Sequence, residues 1–124
     1  MESLTSETVV ILGASDNPER YSHKAMLMLQ KYGHKPVLVS PRYECINGLT
    51  VHKTLNEISE ADTLTMYVNP KISSPLVDVI LALRPKRVIF NPGTENPELS
   101  DILIKNGIEV EDACTLVLLS TGQF

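Results

Sequence analysis

Residues Thr8 to Leu12 read Thr-Val-Val-Ile-Leu, a β-branched and apolar run that stops at Gly13 and turns through Ala14, Ser15, Asp16, Asn17 and Pro18. A strand without polar alternation is covered on both faces, which is the habit of a parallel sheet between two helical layers. The turn leads straight into a helical pattern, so a buried strand delivers a backbone turn and then a helix N-terminus. Junctions of this kind hold anionic ligands in open α/β sheets. Arg20, His23 and Lys24 stand where that helix begins, and cations there oppose the positive end of its dipole. A bound phosphate would relieve the conflict.

The remaining chain repeats the alternation. Met1–Glu7 reads as a frayed polar lead-in. Ser22 is the expected N-cap of a helix over 23–32 that Gly33 stops, with Ala25, Met28, Leu29 and Tyr32 facing the sheet. A second strand, Lys35–Ser40, is halted by Pro41. Residues 41–53 read as an irregular connection with a turn at Asn47-Gly48. Thr54 caps a short helix over Leu55–Ser59, with Glu57 at its capping-box position. Thr63–Val68 is the third strand and a helix over 73–83 follows it. Arg87–Phe90 is the fourth strand. Asn96, Pro97 and Gly107 frame a helix over 97–106. Ile108–Asp112 is the fifth strand, and Thr115–Ser120 the last helix. The spacing predicts one α/β domain over 1–124, a three-layer α/β/α doubly wound parallel sheet of five strands in the order 3-2-1-4-5.

Composition restricts the partners. The formal net charge of −4 disfavours nucleic acid. Residues 1–53 carry six Lys/Arg against five Asp/Glu, and residues 54–124 carry five against ten, so basic groups gather around the opening motif. No apolar run approaches the ~20 residues a bilayer requires, and no charged-then-apolar signal opens the chain, so the expectation is a cytoplasmic protein without membrane contact. Cys45 and Cys114 lie far apart and read as reduced, partly buried thiols. His23, His34 and His52 have no metal-ligand spacing, so no metal site is expected.

Strand ends matter most in such a sheet, because ligands bind beyond them. They read Gly13-Ala14-Ser15, Ser40-Pro41-Arg42, Val68-Asn69-Pro70 and Asn91-Pro92-Gly93. Three stop at a small polar residue directly before proline, which fixes the turn above each strand. The dinucleotide fingerprint is incomplete, since Pro18 fills its third glycine position and Ser40 and Arg42 stand where a ribose-binding acid belongs. Arg42 suits a phosphorylated ribose. With Arg20, His23, Lys24 and Lys53 it would serve a nucleotide bearing both a pyrophosphate and a ribose phosphate, a description that NADP and coenzyme A both meet. No Walker A sequence and no nucleophile elbow occurs, and Asp16 and Glu95 are better explained by a turn and a helix start, so no catalytic residues are assigned.

Taken together, Val-Val-Ile-Leu-Gly13 through Ser22, the Ser40-Pro41 strand end, Ile46-Asn47-Gly48 and Asn91-Pro92-Gly93 resemble the small stand-alone CoA-binding proteins. Those are Rossmann-like domains similar to the start of the succinyl-CoA synthetase alpha subunit. The resemblance implies non-catalytic binding of coenzyme A or a short acyl-CoA. It implies that Gly13, Ala14, Ser15, Asn17, Arg20 and Lys24, with Ser22 in the same motif, hold the phosphates. Ser40, Pro41 and Arg42 then lie near the adenosine, Val68, Asn69 and Pro70 line the way to the pantetheine, and Asn91, Pro92 and Gly93 close the far side. The alternatives are an enzyme subunit that binds NADP or another phosphonucleotide, or an interaction module with a vestigial site. In the latter, Leu116-Val117-Leu118-Leu119 and Phe124 would form a partner surface or homodimer seam, although core is the better reading of that stretch.

Overall fold

The strand at the centre of the molecule is β1 (Thr8–Leu12), which pairs in parallel with β2 (Lys35–Val39) on one side and with β5 (Thr63–Met66) on the other. The structure, a computed structural model, describes residues 6–124. Beyond β2 lies a hairpin of β3 (Cys45–Ile46) and β4 (Leu49–His52), and beyond β5 lie β6 (Arg87–Phe90) and β7 (Glu109–Asp112). The sheet therefore has seven strands in the order β3-β4-β2-β1-β5-β6-β7, parallel except at the β3–β4 pair.

This corrects the sequence expectation in two ways. The connection over 41–53 is structured: Asn47 (φ 51°) and Gly48 (φ 79°) both adopt positive φ, which closes a two-residue hairpin. Val51 and His52 of β4 pair with Leu38 and Val39, occupying the outer edge of β2. The strand at Thr63 consequently cannot lie beyond β2 and pairs with β1 instead. Among the five expected strands the order is 2-1-3-4-5, not 3-2-1-4-5.

Two helical layers cover the sheet. The helices are α1 (Tyr21–Lys31), α2 (Pro70–Ser73), α3 (Val77–Leu83), α4 (Pro97–Lys105) and α5 (Thr115–Ser120). Val10, Leu12, Leu64, Met66, Val88 and Phe90 pack with Ile80 and Leu83 of α3 and Leu99 and Leu103 of α4. On the other face Val9, Ile11 and Leu38 pack with Met26 and Leu29 of α1 and Leu119 of α5. Val9, Val10 and Ile11 are fully buried, each side chain contributing about 1.5–3 kcal/mol relative to exposure.

Several element boundaries also differ. α1 begins at Tyr21 with an extended Arg20 at its N-cap, and Ser22 lies buried inside the first turn. Its buried face is Ser22, His23, Ala25, Met26 and Leu29, and Tyr32 is exposed. Thr54 makes no side-chain cap, and Leu55–Glu57 is a single 3-10 turn. The helix expected from residue 73 starts at Pro70, capped by Asn69, and passes through a 3-10 turn at Ser74–Leu76 into α3. Of the expected lead-in, residues 1–5 lie outside the described residues. Glu7 is tied down: its amide donates to His34 Nδ1 (3.0 Å) and its carboxylate accepts from Thr63 Oγ1 (2.6 Å).

Candidate functional site

A crevice opens where the crossovers from two adjacent strands run to opposite sides of the sheet, and in this order that point lies between β1 and β5. The loop that follows β1 is anchored from both flanks. The amides of Gly13 and Ala14 both donate to the Val39 carbonyl, at 3.0 and 3.1 Å, which ties the loop to the end of β2. On the β5 side the Tyr67 amide donates to the Leu12 carbonyl (2.9 Å). Gly13 has φ +98°, and a Cβ there would meet both the Tyr67 carbonyl oxygen and Val68 Cγ1 at 3.0 Å. Both the torsion and the close approach require glycine.

Past Ala14 the loop is held by its own side chains. Ser15 Oγ accepts from the Asn17 amide (3.1 Å), Asn17 Oδ1 from the Glu19 amide (2.9 Å), and the Asn17 carbonyl from the Arg20 amide (3.0 Å). Asn17 is exposed, yet its side chain fixes the approach to α1. The Arg20 carbonyl takes the amides of His23 and Lys24, both at 3.1 Å. Among the described residues, the amides of Ser15, Asp16, Tyr21 and Ser22 donate to no protein acceptor. No acidic side chain sits in the first turn of α1. Arg20 and Lys24 are exposed, and Lys24 Nζ lies 5.5 Å from the centre of the Tyr21 ring. Neither is ion-paired among the described residues. His23 is 5% exposed and its Nδ1 lies 2.8 Å from the Ser15 carbonyl oxygen.

The other expected residues gather along the same rim in different states. Ser40 is buried, and its Oγ accepts from the Arg42 amide (3.2 Å), leaving Pro41 and Arg42 exposed above it. Lys53, just after β4, donates from Nζ to the Tyr43 carbonyl (3.3 Å) beside Arg42. Val68 is half-buried, and Asn69 accepts the Ile72 amide (3.3 Å) as cap of α2, with Pro70 exposed. Asn91 turns inward: its side chain donates to Thr65 Oγ1 (2.7 Å) and the Met66 carbonyl (2.8 Å) and accepts from the Thr115 amide (2.9 Å). Pro92 and Gly93 stay exposed, with the Gly93 amide on Glu95 Oε1 (2.9 Å).

The sequence did not single out Tyr67. Its hydroxyl is buried beside the Thr65–Thr115 hydroxyl pair, which is bonded at 2.8 Å, yet it makes no hydrogen bond itself. Burial pushes its pKa up to about 12, against a smaller downward pull from the adjacent threonine hydroxyls. The phenol is therefore neutral at physiological pH. The polar alternation Thr63, Thr65, Tyr67 along β5 and just past it is the signal that could have marked this face as more than core.

Two hollows of about 430 and 450 Å³ lie at the opposite end of the sheet, on either side of Phe124. Their charged walls are paired internally: Arg87 with Glu7 (3.5 Å) and Lys86 with Asp62 (3.4 Å). They sit at the strand starts, away from the free amides. Among the described residues no three His, Cys, Asp or Glu side chains cluster as a metal would need, and no helix is long and apolar enough to cross a membrane. Cys45 is exposed and Cys114 half-buried, both free. In the C-terminal stretch Leu119 is buried and Val117 is 55% exposed.

Residues 7–120 match the family model described as CoA binding domain. No curated protein matches the chain. The crystal structure of an uncharacterized protein is similar with 43% identity and a TM-score of 0.92, covering 97% of this chain and 99% of that one. A Thermus thermophilus structure shares 28% identity with a TM-score of 0.86 over 96% of this chain and 91% of its own. A conserved hypothetical protein from Pyrococcus furiosus shares 28% identity with a TM-score of 0.76 over 84% and 90%.

Proposed function

The chain belongs to the CoA binding domain family, and on that premise we propose that it binds coenzyme A or a short acyl-CoA at the carboxyl ends of β1, β2, β5 and β6, without a reaction of its own. The pyrophosphate lies over the first loop and the start of α1. Gly13 and Ala14 shape that loop, Ser15 and Asn17 brace it, Ser22 adds its amide, and Arg20 and Lys24 supply positive charge. Arg42, above Ser40 and Pro41, faces the adenosine end. Val68, Asn69 and Pro70 flank the pantetheine, and Asn91 holds the Pro92-Gly93 turn that closes the far side.

One observation carries this reading. Four backbone amides at the loop and helix start have no protein acceptor among the described residues, and two exposed cations without carboxylate partners stand beside them. Cations at a helix N-terminus cost about 0.3–1 kcal/mol each, and a bound dianion reverses the sign. The non-catalytic character is supported by Asn91, whose polar atoms are engaged internally.

The test is isothermal titration of nucleotide-stripped protein with CoA, with NADP and NAD as controls. Saturable micromolar binding of CoA alone is expected. A double Arg20→Ala, Lys24→Ala variant should lose about tenfold in affinity and show a shallower salt dependence. Binding of NADP with silence for CoA would replace the reading with that of a phosphonucleotide-binding subunit.

A further inference from the structure

The bond between His23 and Ser15 has a directional consequence. A carbonyl oxygen can only accept, so His23 Nδ1 carries the proton, in a ring 5% exposed on the first turn of α1. The chain contains no cis peptide bond among the described residues, and in a planar trans peptide the carbonyl and the following amide point in opposite directions. Holding the Ser15 carbonyl down onto the helix therefore turns the Asp16 amide outward, over the crest of the loop. Most amides of the loop are committed: Gly13 and Ala14 to Val39, Asn17 to Ser15 Oγ, Glu19 to Asn17 Oδ1 and Arg20 to the Asn17 carbonyl, which leaves those of Ser15 and Asp16 at its crest. The Asp16 amide has no acceptor among the described residues.

We propose that His23 is the positioning residue of this site: through the Ser15 carbonyl it orients the Asp16 amide as a donor to a phosphate oxygen of the ligand. This rests on the CoA reading above and adds to it which residue sets the geometry. Because Nδ1–H is present in both the neutral ring and the imidazolium, the orientation does not depend on the charge of His23.

The experiment compares wild type, His23→Leu and His23→Asn. Leucine fills the space without a donor, whereas the asparagine amide offers an N–H near the position of Nδ1. CoA affinity by titration should fall about tenfold in the leucine variant and recover most of the way in the asparagine variant. The Asp16 amide resonance should shift on CoA addition in wild type and His23→Asn, and much less in His23→Leu. Equal affinities and equal Asp16 shifts in all three would overturn the role of His23, as would a loss in His23→Asn matching that in His23→Leu when both remain folded by circular dichroism. Should wild type ignore CoA, the CoA reading fails, and the same resonance is followed with inorganic pyrophosphate. A wild-type shift lost in His23→Leu then upholds the positioning role, and its absence from wild type overturns that too.

Discussion

A Cβ on Gly13 would stand 3.0 Å from the carbonyl oxygen of Tyr67, so the end of β1 and the residue after β5 touch backbone to backbone. Tyr67 is also tied to β1 by its own amide, so neither side can retreat without breaking the pairing. Gly13→Ala combines this clash with a φ of +98° and should destabilise the fold by about 2–4 kcal/mol. Urea denaturation with an unchanged m-value would establish the loss, and a cost below about 0.5 kcal/mol would show that the approach is compliant.

The unpartnered Tyr67 hydroxyl leads to a substitution that improves stability. Tyr67→Phe removes a buried group with no hydrogen bond, and a gain of about 1 kcal/mol is expected at neutral pH. The pKa is raised to about 12 in the folded state, so its contribution is complete below the ordinary value of 10 and is lost as pH rises from there. Wild type should therefore lose stability between pH ~10 and ~12 more steeply than the phenylalanine variant. Parallel alkaline profiles would contradict this.

Asp62 has the opposite sign. Its carboxylate accepts the Thr8 amide at 2.8 Å, and this bond, aided by Lys86, holds the pKa below its ordinary value despite partial burial. A depressed pKa contributes stability that is present above the unfolded value of ~4 and disappears as pH falls through the folded value. Thermal melts from neutral pH to below pH ~3 should show wild type losing its advantage over Asp62→Asn in that acid window. An advantage independent of pH would mean the bond, not the charge, is what matters.

Arg87 is 12% exposed at its side chain and joins Glu7, Glu111, Thr63 Oγ1 and the Phe124 carbonyl, with the Phe124 ring 4.4 Å from its guanidinium. Arg87→Met retains the stem and removes the charge, leaving two carboxylates near each other. A loss of about 2 kcal/mol is expected, reduced from a fully buried pair because both acids are part-exposed. Amide exchange at 122–124 should quicken as well. Unchanged protection there would show that the C-terminal residues are held by other contacts, such as the tilted packing of the Phe124 ring on His34, with centroids 5.0 Å apart.

What could be read from the residues alone was whatever depends on burial and local torsion. The runs at Thr8 and Arg87 are rich in apolar residues because both faces are covered, and Asn96-Pro97 and Gly107 bracket a helix because those residues suit its ends. Strand order was not readable, because apolar periodicity records that a strand is buried and not which strand lies beside it. The hairpin at Cys45–His52 was missed because two-residue β3 is too short to show alternation. His23 reads from the sequence as one of the cations at the start of α1 and not as a brace for the loop, since its partner is a backbone carbonyl that any residue at position 15 would supply. Ser22 looked like a cap by type, but the extended residue is Arg20, and serine two positions later is carried inside the first turn.

The sheet stops at a two-residue strand on one side and a four-residue strand on the other. Open strand edges are the places where one protein molecule can template another into a growing fibre. Here the first offers scarcely one repeat of free backbone, and the second is acidic, with exposed Glu109 and Asp112 at its two ends. A chain whose interior is so rich in β-branched residues is thereby kept from propagating its own sheet into its neighbours.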